Sequence, residues 1–250
     1  MSQSESTTNR LENVVNSVMG VKDPSPSNDS NINTQEFDGK ALLIYIGGTA
    51  VQIALMVLAL WAIGQAYTQL ERLNDNSWWP TAIASVFFTV VTLRSRLFSP
   101  LDNTRSSGRY QQVIRPNWAP PPLAFPIVWM TIGVLRIVSS VLVWQAVGQN
   151  FLAVPLIAFV IHLALGDIWN TIFTVEGRLG AAVPVVIMGP WLSAIVVTVL
   201  YGQTVSLAGL LLAPSVVWIT VACVLVYSIW RLNGCEPWYP MKRVNGGKTQ

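Results

Sequence analysis

The chain has 250 residues, of which 52% are apolar and only 11% are charged, whereas about 25% of the residues in an ordinary soluble domain are charged. This shortage of charge excludes an ordinary soluble domain. The formal net charge of +3 is small and no Lys/Arg run alternates with aromatic residues, so nucleic acid is excluded as a partner.

The first 40 residues differ from the rest of the chain. They are rich in Ser, Asn and Thr and include six acidic residues. They contain no apolar core of the kind that a cleaved signal peptide needs, and acidic residues are unusual in organelle transit peptides. We therefore expect residues 1–40 to form a disordered cytosolic tail. A tail of this kind favours a bacterial inner or photosynthetic membrane as the location.

Long tracts without charged residues follow this tail and predict membrane-spanning helices. The last tract, 179–230, is long enough for two spans, because one crossing takes about 20 residues. Backbone groups in lipid must be hydrogen-bonded within the chain, so the tracts are expected to be helical. The predicted spans are 41–66, 79–97, 122–147, 151–173, 180–200 and 206–231, and a cytosolic C-terminal tail, 234–250, follows them.

The distribution of cationic residues predicts the orientation of these six spans. Short loops rich in Lys and Arg stay on the cytosolic side of a membrane. With six spans, nearly all cations outside the helices fall on the side of the two termini, and Arg72 alone lies opposite. We therefore expect both termini in the cytosol and the loop after the second span near anionic headgroups. The arginines of that loop are Arg94, Arg96, Arg105, Arg109 and Arg115.

The sequence shows no catalytic or metal-binding constellation. It has one histidine, no paired carboxylates at a useful spacing, no phosphate-binding glycine loop and no nucleophile elbow. Its two cysteines, Cys223 and Cys235, have no metal-ligand spacing. We therefore assign no catalytic residue and no metal ligand. The chain is rich instead in tryptophan, with 11 residues.

The densest motif runs from Arg115 to Trp129. Prolines at 120–122 suit the first turn of a helix, and Pro126, one turn further, frees a carbonyl group and can bend the helix. The bend would open space beside Phe125 and Trp129. Two interpretations remain open at this point, namely a helix start with an interfacial aromatic belt and one wall of a ligand cavity.

Three segments together resemble the TspO/MBR family, the tryptophan-rich sensory proteins and translocator proteins. The first runs from Trp118 through two prolines to Phe125, Trp129 and Trp144, and is similar to the family's second helix. The others resemble its third and fifth helices, and the matches extend in order from about residue 80 to 233. Their residues are His162, Gly166, Asp167, Trp169, Phe173 and Arg178-Leu-Gly in one segment, and Leu211, Pro214, Trp218, Ala222, Tyr227, Trp230 and Arg231 in the other.

The resemblance implies an all-α membrane protein with a five-helix bundle at 79–233, to which this chain adds a transmembrane helix at 41–66. It implies a receptor or sensor that holds a porphyrin, heme or other planar hydrophobic ligand in a cavity, with no obligatory cofactor. Light-dependent porphyrin degradation and transport of tetrapyrrole or sterol-like ligands are the alternatives, and a homodimer is left open. By motif, the ligand-binding residues are Trp118, Phe125, Pro126, Trp129, Trp169, Trp218 and Ala222.

Two polar residues within the spans add to this set. Arg136 lies mid-span at a position that is apolar in the family pattern, and an intramembrane charge indicates function. We expect it to face the cavity and pair with a carboxylate of the ligand; an ion pair with Asp167 or capture by backbone carbonyls is the alternative. His162 could ligate heme iron, although a lone histidine on a span is more often a hydrogen-bonded helix contact.

The end of the last span carries a further pattern. Leu225, Tyr227 and Arg231 fit the loose spacing that has been proposed for sterol contact. Anchoring of the helix end at the membrane interface explains the same residues equally well.

Overall fold

The computed structural model describes residues 36–71, 78–101 and 113–242. The predictions for the tail before residue 36, for Arg72, Arg105 and Arg109, and for the chain after residue 242 lie outside these residues. The described chain is helical throughout its regular structure, as the predicted fold class requires. We number its α-helices α1 (Gly39–Glu71), α2 (Trp79–Arg94), α3 (Ala124–Ala146), α4 (Val154–Asn170), α5 (Leu179–Val186), α6 (Leu192–Thr204) and α7 (Ser206–Leu232).

Five helical stretches of the described chain are long and apolar enough to cross a membrane. They are Gly39–Gln69, Ala124–Ala146, Val154–Val175, Leu179–Thr204 and Ser206–Leu232. The sixth predicted span is the shorter α2, whose 16 residues extend about 24 Å before the 3-10 turn Ser95–Phe98. The predicted spans therefore fall on helices and differ from them at the ends. The largest difference is in α1, whose 33 residues extend about 50 Å and exceed a hydrocarbon core of about 30 Å.

Two of the spans contain a wide π-helical turn. The first, Thr171–Val175, follows α4, and the second, Ile187–Trp191, joins α5 to α6. Pro190 lies in the second turn and has no N–H group to donate to the carbonyl of Val186. The Cys223 thiol, 4.0 Å from that oxygen, donates to it instead. Pro184 and Pro190 both lie inside this span, which continues through them as one helical stretch, Leu179–Thr204.

Helix α4 is the central helix of the bundle. Half of its most apolar stretch is buried, compared with a third in each of the other four long spans. Helix α7 packs against α6, α3 and α5, while α6 and α1 pack on α4. At the end of the bundle where α1 finishes, Trp144, Phe151 and Tyr67 form an aromatic cluster with ring centroids 5.2 to 6.3 Å apart.

The added helix α1 packs mainly on α4 and only slightly on α2, its neighbour in the chain. Its inward residues recur at intervals of four or seven positions, which is the spacing of one helical face. This face carries the buried residues Ala41, Tyr45, Gln52, Met56, Leu60 and Tyr67. The opposite face presents apolar side chains such as Leu43, which is 72% exposed, as expected for contact with lipid.

A polar cluster, which we name the end clasp, ties the start of α1 to the C-terminal segment. It consists of residues 36–38, Arg178 and residues 240–242. Phe37 and Met241 form an antiparallel bridge. The guanidinium of Arg178 donates to Asp38 Oδ2 (3.2 Å), Glu176 Oε2 (2.7 Å) and the carbonyl oxygen of Met241 (2.8 Å).

The electrostatics of the end clasp favour its charged forms. The backbone N–H of Ala41, which donates to Asp38 Oδ1 at 2.9 Å, lowers the pKa of Asp38, and Arg178 lowers it further. Burial alone would lower the pKa of Arg178, but the nearby Tyr45, Glu176 and Asp38 raise it above its usual value. Asp38 therefore serves both as the N-cap of α1 and as an ion-pair partner.

The end clasp brings several of the predicted cytosolic residues to one end of the bundle. Asp38, Arg178 and Lys242 meet there. The loop before α3 reaches the same end, because the backbone N–H of Ile114 donates to Asn233 Oδ1 (2.9 Å) and Asn233 Nδ2 donates to the Ile114 carbonyl (2.9 Å). Arg115 directly follows Ile114 in the chain, and Arg231 lies two positions before Asn233.

We predict that Asp38→Ala lowers the free energy of unfolding by about 1 to 2 kcal/mol near neutral pH, because it removes a helix cap and an ion pair. Asp38→Asn keeps the cap and should lose less. The pKa of Asp38 lies below its usual value in the folded chain, so its contribution is present above about pH 4 and disappears as the pH falls through that lowered pKa. Thermal unfolding of the three proteins from pH 7 to pH 3 measures this, and an Asp38→Ala deficit that is unchanged in acid would contradict it.

Candidate functional site

A cavity of about 300 Å³ lies among α3, α4 and α7, on the end-clasp side of the aromatic cluster. This volume is at the lower end of the range for small-molecule sites, roughly 300 to 1,000 Å³. Five aromatic side chains supply much of its wall. They are Phe125, Trp129, Trp169, Phe173 and Trp218.

The aromatic rings are fixed by contacts with each other. Phe125, in the first turn of α3, meets Trp218 of α7 edge to face, with centroids 5.7 Å apart and an angle of 65°. Trp169 and Phe173 are stacked with centroids 5.7 Å apart and an angle of 8°. These two residues are four positions apart at the junction of α4 and its π-helical turn, so they share one side of the helix.

Three donor groups of the cavity wall are buried and have no hydrogen-bond partner within the described part of the chain. They are the indole N–H groups of Trp169 and Trp218 and the hydroxyl of Thr92. Buried polar groups are normally paired. Three of them in the wall of one cavity therefore distinguish this part of the bundle from its packed core.

Arg136 enters the cavity from α3 and is oriented by two residues. Its guanidinium carbon lies 5.9 Å from the centroid of the Trp129 ring, which is within cation–π range. Its Nη2 lies 2.7 Å from Nε2 of His162 on α4. Arginine can only donate, so Nε2 of His162 accepts and the proton of the neutral ring is on Nδ1.

The histidine is in turn held by the π-helical turn of the fifth span. Nδ1 of His162 donates to Ser193 Oγ at 2.8 Å, and this hydroxyl donates to the carbonyl oxygen of Gly189 at 2.7 Å. Both ring nitrogens are therefore occupied, which favours the helix-contact interpretation of His162 over iron ligation. The chain from Arg136 to Gly189 fixes a cationic group against the cavity.

Asp167 lies about 7.5 Å further along α4 from His162 and also lines the cavity. Its Oδ2 accepts a hydrogen bond of 2.7 Å from Nε2 of Gln52 on α1. The same amide lies 3.2 Å from the carbonyl oxygen of Ser95, another cavity residue. The wall thus carries a guanidinium and a carboxyl group, each with its own helix-to-helix partner.

A family model for the TspO/MBR family matches residues 85–231. The chain belongs to the TspO/MBR family. Several members are similar over about half of this chain. Protein CrtK of Rhodobacter capsulatus is 36% identical, with 51% of this chain and 79% of the relative covered. Translocator protein of Homo sapiens is 31% identical, with 50% and 74% covered. The tryptophan-rich sensory protein of Cereibacter sphaeroides is 29% identical, with 51% and 78% covered.

The predicted site residues of this TspO/MBR member separate into two groups. Phe125, Trp129, Arg136, Trp169, Trp218 and Ala222 all line the cavity, together with Leu225. Trp118 and Pro126 are not among the lining residues; Trp118 is half exposed in the loop before α3, and Pro126 lies in the first turn of α3 beside Phe125. Tyr227 and Arg231 are exposed, so the predicted sterol-contact residues divide between the cavity and the outer surface.

Sequence reasoning missed several residues of the site. Thr92 and Ser95, near the end of α2, carry no motif. Gln52 could have been recognised from the sequence, because it is the only side-chain amide between residues 41 and 64. An amide at that depth in a membrane requires a hydrogen-bond partner. Nothing in the sequence indicates the role of Ser193, because this role depends on where the fold places His162.

Proposed function

We propose that this TspO/MBR member is a membrane receptor or sensor that binds a tetrapyrrole, such as a porphyrin or heme, in the aromatic cavity. The observation that carries the proposal is the wall of indole rings in a largely apolar cleft, with the guanidinium of Arg136 in the same wall. Planar macrocycles stack on indole faces, and burial in a cleft removes most of their surface from water. One relative is named a tryptophan-rich sensory protein, which agrees with a sensory role.

Trp129 and Trp218 are the proposed aromatic clamp. Trp129 lies on α3 beside Arg136, and Trp218 lies on α7 against Phe125. The two rings therefore come from different helices, and a ligand between them would connect α3 with α7. Ala222, one turn after Trp218, leaves space for the edge of the ligand.

Arg136 is the proposed anchor for an acidic group of the ligand. A guanidinium has five N–H donors, and the hydrogen bond that the described chain provides, to His162, uses one of them. A cation in an apolar bundle is costly without an anion, and the propionate groups of porphyrins and hemes are anions of suitable chemistry.

We also propose that the protein crosses the membrane six times with the end clasp on the cytosolic side. The cations near that end, including Lys40, Arg115, Arg178 and Arg231, support this orientation through the positive-inside rule.

We predict that Trp129→Ala and Trp218→Ala each weaken protoporphyrin IX binding about tenfold, because each removes a stacking surface worth more than 1 kcal/mol. Binding is measured by quenching of tryptophan fluorescence in the full-length chain in nanodiscs. Trp61→Ala is the matched control, since Trp61 is 49% exposed on the outer face of α1 and its loss also removes one indole. If all three variants bind as the parent does, the clamp is refuted.

We predict that the parent binds protoporphyrin IX at least about tenfold more tightly than its dimethyl ester, because a guanidinium-to-carboxylate contact contributes a few kcal/mol in an apolar site. Arg136→Met should remove this preference and leave the affinity for the ester nearly unchanged. Arg136→Lys, which retains the charge, should keep part of the preference. A parent that binds acid and ester equally would contradict the anchor, even with the clamp intact.

A further inference from the structure

We propose that α1 belongs to the ligand site, because Gln52 holds Asp167 and the end of α2 together as one wall of the cavity. This inference rests on the proposed function and adds a positioning residue to it. The family model begins at residue 85, so the helix that carries Gln52 lies outside the matched region.

Gln52 is deeply buried in the contact between α1 and the bundle. It is only 1% exposed and lies in the inward face of α1, between Tyr45 and Met56. One turn earlier, Gly48 leaves room for the side chain of Leu101; a Cβ atom at Gly48 would lie 2.7 Å from Leu101 Cδ1. The middle of α1 is therefore pressed against the bundle at the level of the cavity.

Gln52 contacts two parts of the cavity wall. Its amide nitrogen donates to Asp167 Oδ2 at 2.7 Å and to the carbonyl oxygen of Ser95 at 3.2 Å. Both acceptors belong to residues of the cavity wall, and they come from α4 and from the turn after α2. Gln52 thus joins α4 to this turn without lining the cavity itself.

The Gln52 amide also stabilises the position of Asp167. A buried carboxyl group is held in place by the hydrogen-bond donors around it, and Gln52 is one of these donors for Asp167. The hydrogen bond from Gln52 fixes the orientation of the Asp167 carboxyl group. The hydrogen bond to His162 fixes the guanidinium of Arg136 elsewhere in the wall. The ligand that fits is a planar macrocycle whose acidic edge meets Arg136 and whose ring system packs against the wall that Gln52 holds in place.

The test compares Gln52→Leu with Met56→Ala in the full-length chain in nanodiscs, with protoporphyrin IX as the probe. Met56 is fully buried one turn away on the same face and does not line the cavity, so its truncation weakens the packing of α1 without touching Asp167. We expect Met56→Ala to lower the melting temperature at least as much as Gln52→Leu, while its porphyrin affinity stays within about twofold of the parent. We expect Gln52→Leu to bind about tenfold more weakly.

A double-mutant cycle with Asp167→Ala separates positioning from general stability. If Gln52 acts through Asp167, Gln52→Leu has no further effect on affinity in the Asp167→Ala protein. Gln52→Asn, which is one methylene shorter, should behave as Gln52→Leu does and serves if the leucine variant fails to fold.

Any of three results would overturn the inference. The first is a porphyrin affinity of Gln52→Leu equal to that of the parent, and the second is that the affinities of Gln52→Leu and Met56→Ala fall in proportion to their melting temperatures. The third is that Gln52→Leu weakens porphyrin binding by the same factor in the Asp167→Ala protein as in the parent. Each leaves the tetrapyrrole proposal intact if the parent binds. A parent chain that binds no protoporphyrin IX would reject the proposed function itself, and the role of Gln52 with it.

Discussion

Polar side chains at the depth of a hydrocarbon core have only the protein itself to bind, and this constraint determines how the helices of the bundle are arranged. Several of the polar residues found there bind a neighbouring helix. Arg136 joins α3 to α4, His162 joins α4 to α6, and the hydroxyls of Ser140 and Tyr201, 2.9 Å apart, join α3 to α6. Gln52 joins α1 to α4. Apolar packing alone is less selective, because lipid and leucine are equally apolar.

The same constraint explains why a cavity can persist within the bundle. Two polar residues of the cavity wall, Arg136 and Asp167, are hydrogen-bonded to residues of other helices. The wall therefore does not depend on a ligand for its shape. The π-helical turns contribute to this arrangement. The turn at Thr171–Val175 brings Phe173 under Trp169, and the turn at Ile187–Trp191 places the Gly189 carbonyl where Ser193 can bind it.

The helices could be predicted from the sequence because a charged residue is unfavourable at every position of a membrane span. Each span therefore leaves a long tract with few or no charged residues. The family assignment, which came from motifs that fall in α3, α4 and α7, was confirmed by the match to the family model, and the fold class was confirmed by the helical structure. Most of the aromatic wall was predicted as well, because its residues belong to those motifs. The partners of Arg136 and Asp167 were harder to predict, since Gln52 and Asp167 are 115 positions apart and only the packing of α1 on α4 brings them together. The π-helical turns also left no clear signal beyond Pro184 and Pro190.

The end clasp has a consequence for the order in which the protein is assembled. Its contacts join positions separated by as many as 206 residues, from Glu36 to Lys242, so those that involve residues 240–242 form only after α7 has been synthesised. Until then residues 36–38, at the start of α1, lack their partners in the C-terminal segment. Contacts between distant positions form late because closing a long loop has a large entropic cost. The start of α1 is thus among the last parts of the described bundle to be secured, although α1 precedes the other described helices in the chain.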